Sequence, residues 1–109
     1  MNRVAKGSRV EKRCADELRT DGYLVWKTIR HQFLNIDLWG YFDVVALEKN
    51  GKHVRLIQCK TNKCDKATIE RIRALKVPGS IYKEVWIYHD RKGFEKRLIG
   101  TEDTNETEI

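Results

Sequence analysis

Residues 41–60 read YFDVVALEKNGKHVRLIQCK, two apolar runs joined by Asn50-Gly51. Asn-Gly between strand-like runs is the strongest short-range hairpin signal. A two-residue loop sets Lys49 opposite Lys52; counting outward, Leu47 meets Val54, Val45 meets Leu56 and Asp43 meets Gln58. A symmetric four-residue loop keeps this register, whereas a bulged three-residue loop slips it by one. Side chains alternate faces along a strand, so Asp43 and Gln58 are expected on one face, with Cβ atoms about 5 Å apart. Lys60 follows two residues later on the same face. An acid, an amide and an amine thus meet at the polar end of an apolar hairpin.

The rest of the chain supplies the layers for this hairpin. Residues 8–21 read as a helix whose stripe is Val10, Cys14 or Ala15, and Leu18, stopped by Asp21-Gly22. Residues 23–28 read as a strand and residues 29–39 as an irregular connection. The hairpin strands span roughly 41–47 and 53–60. A second helix is expected over 67–76, with Ile69, Ile72 and Leu75 inward, ended by Pro78-Gly79. Residues 84–89 and 94–99 read as strands around Arg91-Lys92-Gly93. The order α β β β α β β predicts an α/β fold, a mixed β-sheet flanked by helices. Residues 1–100 form a single domain in this reading, and residues 101–109 an acidic, disordered tail.

Composition narrows the class of protein. The chain has 109 residues, 22 Lys and Arg against 16 Asp and Glu, and a formal charge of +6. Four of the acids lie in the last nine residues, TEDTNETEI, so residues 1–100 hold 22 bases against 12 acids, or +10. A basic body of this kind suits a polyanion, nucleic acid first. No apolar run approaches a membrane span and the first residues lack a signal-peptide apolar region, so no membrane partner and a cytoplasmic location are expected. Cys14, Cys59 and Cys64 are an odd count that argues against a disulfide framework. Cys59 and Cys64 with His53 or His89 lack the spacing of a zinc ribbon or finger, and Cys59, opposite in direction to Gln58, reads as core. Trp26 and Trp86, in apolar strands, also read as core. Trp39 reads as packing or as a base-stacking ring.

Phosphodiester hydrolysis needs a deprotonated water and neutralised charge on the phosphate, and a hard divalent cation provides both. Mg²⁺ takes oxygen ligands, commonly one or two carboxylates with water and phosphate. Asp43 offers a carboxylate, Gln58 an amide oxygen and Cys59 a backbone carbonyl, while Lys60 can support charge on the phosphate. Asp43 interrupts Tyr41-Phe42 and Val44-Val45-Ala46-Leu47, where an acid needs a partner or a metal. Glu11 has two readings. It lies beside the apolar stripe with its carboxylate over the sheet, or it closes a Ser8-Arg9-Val10-Glu11 capping box.

Taken in order, these residues resemble the PD-(D/E)XK nuclease superfamily and, within it, the archaeal Holliday-junction resolvases. The likeness covers about residues 6–76. It rests on Lys6-Gly7-Ser8-Arg9-Val10-Glu11, on Leu18 and Gly22-Tyr23, on Phe42-Asp43-Val44-Val45-Ala46, and on Gln58-Cys59-Lys60. Phe42 stands where that family has proline, and Gln58 where it has glutamate. Asp37, six residues before Asp43 across Gly40, is positioned to restore the lost charge. The resemblance implies a restriction-endonuclease-like core and a metal-dependent DNA endonuclease. It implies Mg²⁺, or Mn²⁺ in its place, at Asp43 and Gln58 with Glu11 assisting, beside the Cys59 carbonyl. Glu11, Asp43, Gln58 and Lys60 carry the catalysis in this reading. Lys6, Ser8, Arg9, Arg13, Arg30 and Lys63 form the expected nucleic-acid-binding set, and a homodimer on duplex or branched DNA the expected assembly. The loss of glutamate at Gln58 motivates an alternative, a catalytically weak or inactive nucleic-acid-binding module on the same fold.

Overall fold

The structure is a computed structural model that describes residues 3–27, 30–31, 34–35, 42–49, 51–100 and 107–108. Expectations for Asp37, Trp39 and Asn50, and for the side chains of Lys6, Ser8 and Arg30, lie outside what is described. The chain is a mixed α/β protein of two helices on one mixed sheet. Its elements are α1 (Arg3–Thr20), β1 (Leu24–Lys27), β2 (Arg30–His31), β3 (Leu34–Asn35), β4 (Val44–Leu47), β5 (Val54–Thr61), α2 (Lys66–Ala74), β6 (Ile81–His89), β7 (Gly93–Ile99) and β8 (Thr107–Glu108). The main sheet runs β1-β4-β5-β6-β7-β8, parallel between β5 and β6 and antiparallel elsewhere. The parallel pair follows from α2, which returns the chain to the same end of the sheet.

Four elements depart from expectation. Helix α1 starts at Arg3 rather than residue 8, so Ser8 lies inside a helix and the Ser8–Glu11 capping box does not form. Val4, Ala5 and Lys6 continue the helix through Gly7, whose cost relative to alanine is only about 1 kcal/mol. Residues expected as irregular connection contain a short antiparallel pair, Arg30 with Asn35 and His31 with Leu34. The tail is not wholly outside the sheet, because Thr107 and Glu108 pair with Leu98 and Arg97 at its edge.

The C-terminus of α1 and the N-terminus of α2 are fixed by local sequence. At the C-terminus of α1, Gly22 adopts φ +95° and donates its N–H to Arg19 O at 3.0 Å, while Tyr23 N–H reaches Leu18 O at 3.0 Å. Those two bonds form a Schellman motif, which needs the left-handed conformation glycine takes freely. Helix α2 opens on Asp65, whose carboxylate accepts Thr68 N–H at 2.8 Å. It closes on a buried lysine. Lys83 of β6 donates from Nζ to Ile72 O (2.7 Å), Arg73 O (3.1 Å) and Leu75 O (2.5 Å). A cation at a helix C-terminus satisfies orphan carbonyls and complements the dipole, while burial lowers its pKa.

Each face of the sheet carries its own core. On the α1 side Val10, Cys14 and Leu18 pack on Val44, Ala46, Ile57, Cys59 and Trp86. On the α2 side Ile69 and Ile72 pack with Phe42, Leu56, Val85, Ile87 and Ile99. Ile57 and Leu56 fall in opposite cores, as strand alternation requires. Trp86 is 1% exposed, as expected of a core residue, but Trp26 is 47% exposed. Trp26 sits on an edge strand with its burial alternating, and Tyr23 and Val25 are the neighbours that turn inward toward α1.

Candidate functional site

The hairpin register is the one expected up to Val44: Leu47 pairs with Val54, Val45 with Leu56 and Val44 with Ile57. Glu48 N–H bonds to His53 O (3.3 Å) and Gly51 N–H to Glu48 O (2.9 Å), which keeps the register up to the turn. Gly51 takes φ +74°.

At Asp43 the ladder changes. Its N–H donates to Ile57 O at 2.8 Å, although Val44 is already the partner of Ile57. Two residues against one is the arrangement of a β-bulge, which bends the strand and re-aims a side chain. The cores record the bend. Phe42 belongs to the α2-side core and Val44 to the α1-side core, although residues two apart on a regular strand share a face. Asp43 is therefore not simply opposed to Gln58. Its carboxylate turns to the end of β5, where Oδ2 accepts Cys59 N–H at 2.9 Å and Gln58 Nε2–H at 3.1 Å. The convergence expected of Asp43 and Gln58 holds, but through a bulge.

Glu11 and Asp43 are each 1% exposed. Glu11 projects from α1 one turn before Cys14, which packs in the same core as Cys59. The Cys59 thiol is held well above its ordinary pKa, first by a hydrogen bond with the Cys14 thiol, then by burial and by the field of Cys14, with Asp43 and Glu11 adding to it. Cys59 is core, as its direction in the strand implied, and all three cysteines are free thiols.

The remaining expected residues are distributed around this point. Lys60 is half-buried on the Gln58 side of β5, and its charge helps lower the pKa of Asp65, behind the hydrogen bonds from Thr68. No hydrogen bond joins Lys60 to Asp43 or Gln58 among the described residues. Arg9 and Lys63 are exposed. Arg13 is exposed and lies over the Tyr88 ring, 5.1 Å from its centroid. Lys6 and Ser8 fall within α1, and Arg30 in β2.

As a donor set, Glu11, Asp43, the Gln58 amide and the Cys59 carbonyl are all hard oxygen ligands, the type Mg²⁺ or Mn²⁺ takes. Among the described residues no three His, Cys, Asp or Glu side chains gather as a metal site. The set therefore depends on Gln58 and a backbone carbonyl. The Gln58 amide presents its nitrogen to Asp43, and to Cys59 O at 3.5 Å. Serving a cation requires the amide to turn over and present oxygen.

Two features escaped the sequence reading. Arg55 holds Glu84 bidentately (Nε to Oε2 2.6 Å, Nη2 to Oε1 2.7 Å), and Trp86 Nε1–H donates to Glu84 Oε1 at 2.9 Å. The signal that singled out Asp43, an acid inside an apolar strand, was present at Glu84 too. The second is the contact of Arg13 with Tyr88, whose members are far apart in sequence. No protein-family model matches the chain, and no curated protein matches its sequence. No helix among the described residues is long and apolar enough to cross a membrane.

Proposed function

We propose that the chain is a metal-dependent DNA endonuclease on a restriction-endonuclease-like core, of the Holliday-junction resolvase type or a related structure-specific kind. The observation that carries this reading is the buried Asp43 carboxylate, held by the Cys59 N–H and the Gln58 amide at the end of β5. Buried acids at such a point are characteristic of sites that handle a cation. Asp43, Glu11, the Gln58 amide oxygen and the Cys59 carbonyl would hold Mg²⁺ or Mn²⁺. Such an ion supplies charge neutralisation at the phosphate and acidity to an attacking water. The chain's own residues do the rest. The bulge fixes the Asp43 carboxylate against the Cys59 N–H, so it is oriented before substrate arrives. Lys60 carries a positive charge on the Gln58 side, where it supports negative charge on the phosphate. Lys6, Ser8 and Arg9 would contact the DNA backbone, and Arg13, Arg30 and Lys63 complete the nucleic-acid-binding set. A homodimer would bring two such sites to two strands.

The test is cleavage of supercoiled, linear and four-way-junction DNA with Mg²⁺ or Mn²⁺. Wild type is expected to cut and Asp43→Asn to be inactive; equal behaviour of the two on every substrate refutes the assignment.

A second reading is a nucleic-acid-binding module without turnover. The Gln58 Nε2 bond to Asp43 Oδ2 favours it, because the amide donor stands where a cation would otherwise face the carboxylate. It requires salt-sensitive DNA binding and no metal-dependent cleavage by wild type.

A further inference from the structure

The β6–β7 hairpin builds a second polar and aromatic site at the same end of the sheet. Tyr88 and Phe94 face each other across the hairpin with ring centroids 5.2 Å apart and planes at 70°. Phe94 also leans on Trp86 at 5.2 Å, so both rings are backed by the core. A cavity of about 440 Å³ opens beside them, lined by Arg13, Asp16, Glu17, Tyr88, Gly93 and Phe94. That is within the size range of ligand pockets. Its two acids are already paired, Asp16 with Lys12 (2.6 Å) and Arg19 (3.4 Å), and Glu17 with Lys96. Arg13 pairs with no carboxylate among the described residues. Its guanidinium lies over Tyr88 instead, and the residue is exposed. Arg91 and Lys92 are exposed in the adjoining turn.

The position relative to Asp43 is set by the parallel ladder. Cys59 pairs with Trp86 and Thr61 with Tyr88, and Asn62 N–H bonds to Tyr88 O at 2.8 Å. Tyr88 therefore follows Trp86 by two residues on the α1 side, the face that also carries the Cys59 thiol. With strand spacings of about 3.3 Å per residue and 4.8 Å between strands, its Cα lies about 8 Å from that of Cys59.

We propose that this cavity takes an unpaired nucleobase of the DNA whose phosphate lies at Asp43, the base stacking on the Arg13 guanidinium that Tyr88 supports. A planar cation backed by an aromatic ring, with further bases at the rim, is a platform for an unstacked base that tolerates any sequence. This rests on the nucleic-acid reading above but needs no turnover. It implies a preference for DNA with an unpaired nucleotide over a continuous duplex.

The experiment uses the full chain in EDTA and two DNA duplexes, one with a single unpaired 2-aminopurine and one fully paired. Affinities are measured by anisotropy, and stacking by the quenching of 2-aminopurine. Wild type is expected to prefer the unpaired substrate about five-fold or more, the lower end of base–aromatic stacking, with quenching on binding. Arg13→Lys keeps the charge and loses the plane, so the ratio of the two affinities should fall toward one. Tyr88→Leu should do the same, and if it fails to fold, the exposed Arg13→Lys decides. DNA binding without preference, or a preference that survives Arg13→Lys, overturns the pocket and leaves the nuclease reading standing. A preference lost in Arg13→Lys, in a protein that does not cleave with Mg²⁺, supports the pocket and overturns only the chemistry. No DNA binding at low salt overturns both.

Discussion

The Asp43 carboxylate accepts the backbone N–H of Cys59 at 2.9 Å, so the acid of one strand is fastened to the middle of the Gln58-Cys59-Lys60 tripeptide on the next. Asp43 is thereby both a structural closure for β4 and β5 and the centre of the candidate site.

The two roles separate by substitution. Asp43→Ala leaves the buried Cys59 N–H without its acceptor and should cost about 1–3 kcal/mol. Asp43→Asn keeps an oxygen that can accept the same N–H and should stay within about 1 kcal/mol of wild type. Both should lose metal-dependent cleavage if the proposed chemistry holds. Urea unfolding and plasmid nicking on the same preparations check the two expectations.

Glu84 is 1% exposed and shared by Arg55 and Trp86. Its presence raises the pKa of the Arg55 guanidinium, with the direct hydrogen bond as the largest cause. Glu84→Ala strands a largely buried guanidinium and should destabilise by about 3–5 kcal/mol. Arg55→Met with Glu84→Gln removes both charges, keeps an acceptor for Trp86 Nε1–H and should recover most of that loss. Thermal and urea melts of the two variants test it.

What the sequence disclosed and what it hid follow physical lines. The helices and the long strands were legible because Val10, Cys14 and Leu18, or Leu56 and Ile57, repeat at the period of their element. Asp43 was legible because it breaks an apolar run. The bulge beneath it was not, since it depends on how Phe42 is drawn into the α2-side core. Trp26 misled because an edge strand and a central strand share the same local pattern, and only the strand order separates them. Lys83 and Glu84 were hidden for a related reason: the partners that make their burial tolerable come from α2 and β5. The Arg13 platform is a tertiary contact with no local signature.

Acid should loosen the β6–β7 hairpin. Glu95 accepts from His89 Nε2 (2.8 Å) and Arg97 Nε (2.5 Å), and those partners, His89 first, lower its pKa from the ordinary 4.5. A carboxyl whose folded pKa is depressed adds stability that is fully present above its unfolded pKa and is lost as pH falls through the folded value. The contribution should therefore be intact at pH 6 and decline below about pH 4.5. Urea midpoints of wild type and Glu95→Gln should differ at pH 6 and converge toward pH 3. A constant gap across that range refutes the assignment.

Gln58→Glu tests the proposed metal site through stability rather than turnover. In the metal-free protein the substitution exchanges the Gln58 Nε2 donor for a second carboxylate beside Asp43. Like charges at that distance repel, so the apo variant should melt below wild type. A divalent cation that binds only the folded state raises the melting temperature in proportion to the logarithm of its concentration over Kd. With the added charge, the Mg²⁺-induced rise should be larger in Gln58→Glu than in wild type, and Asp43→Asn should reduce it in both backgrounds. A rise that is equal in the variant and wild type, and indifferent to Asp43→Asn, would place any bound Mg²⁺ elsewhere on the protein. Cleavage gained by Gln58→Glu from an inactive wild type would instead identify Gln58 as the substitution that silenced the site.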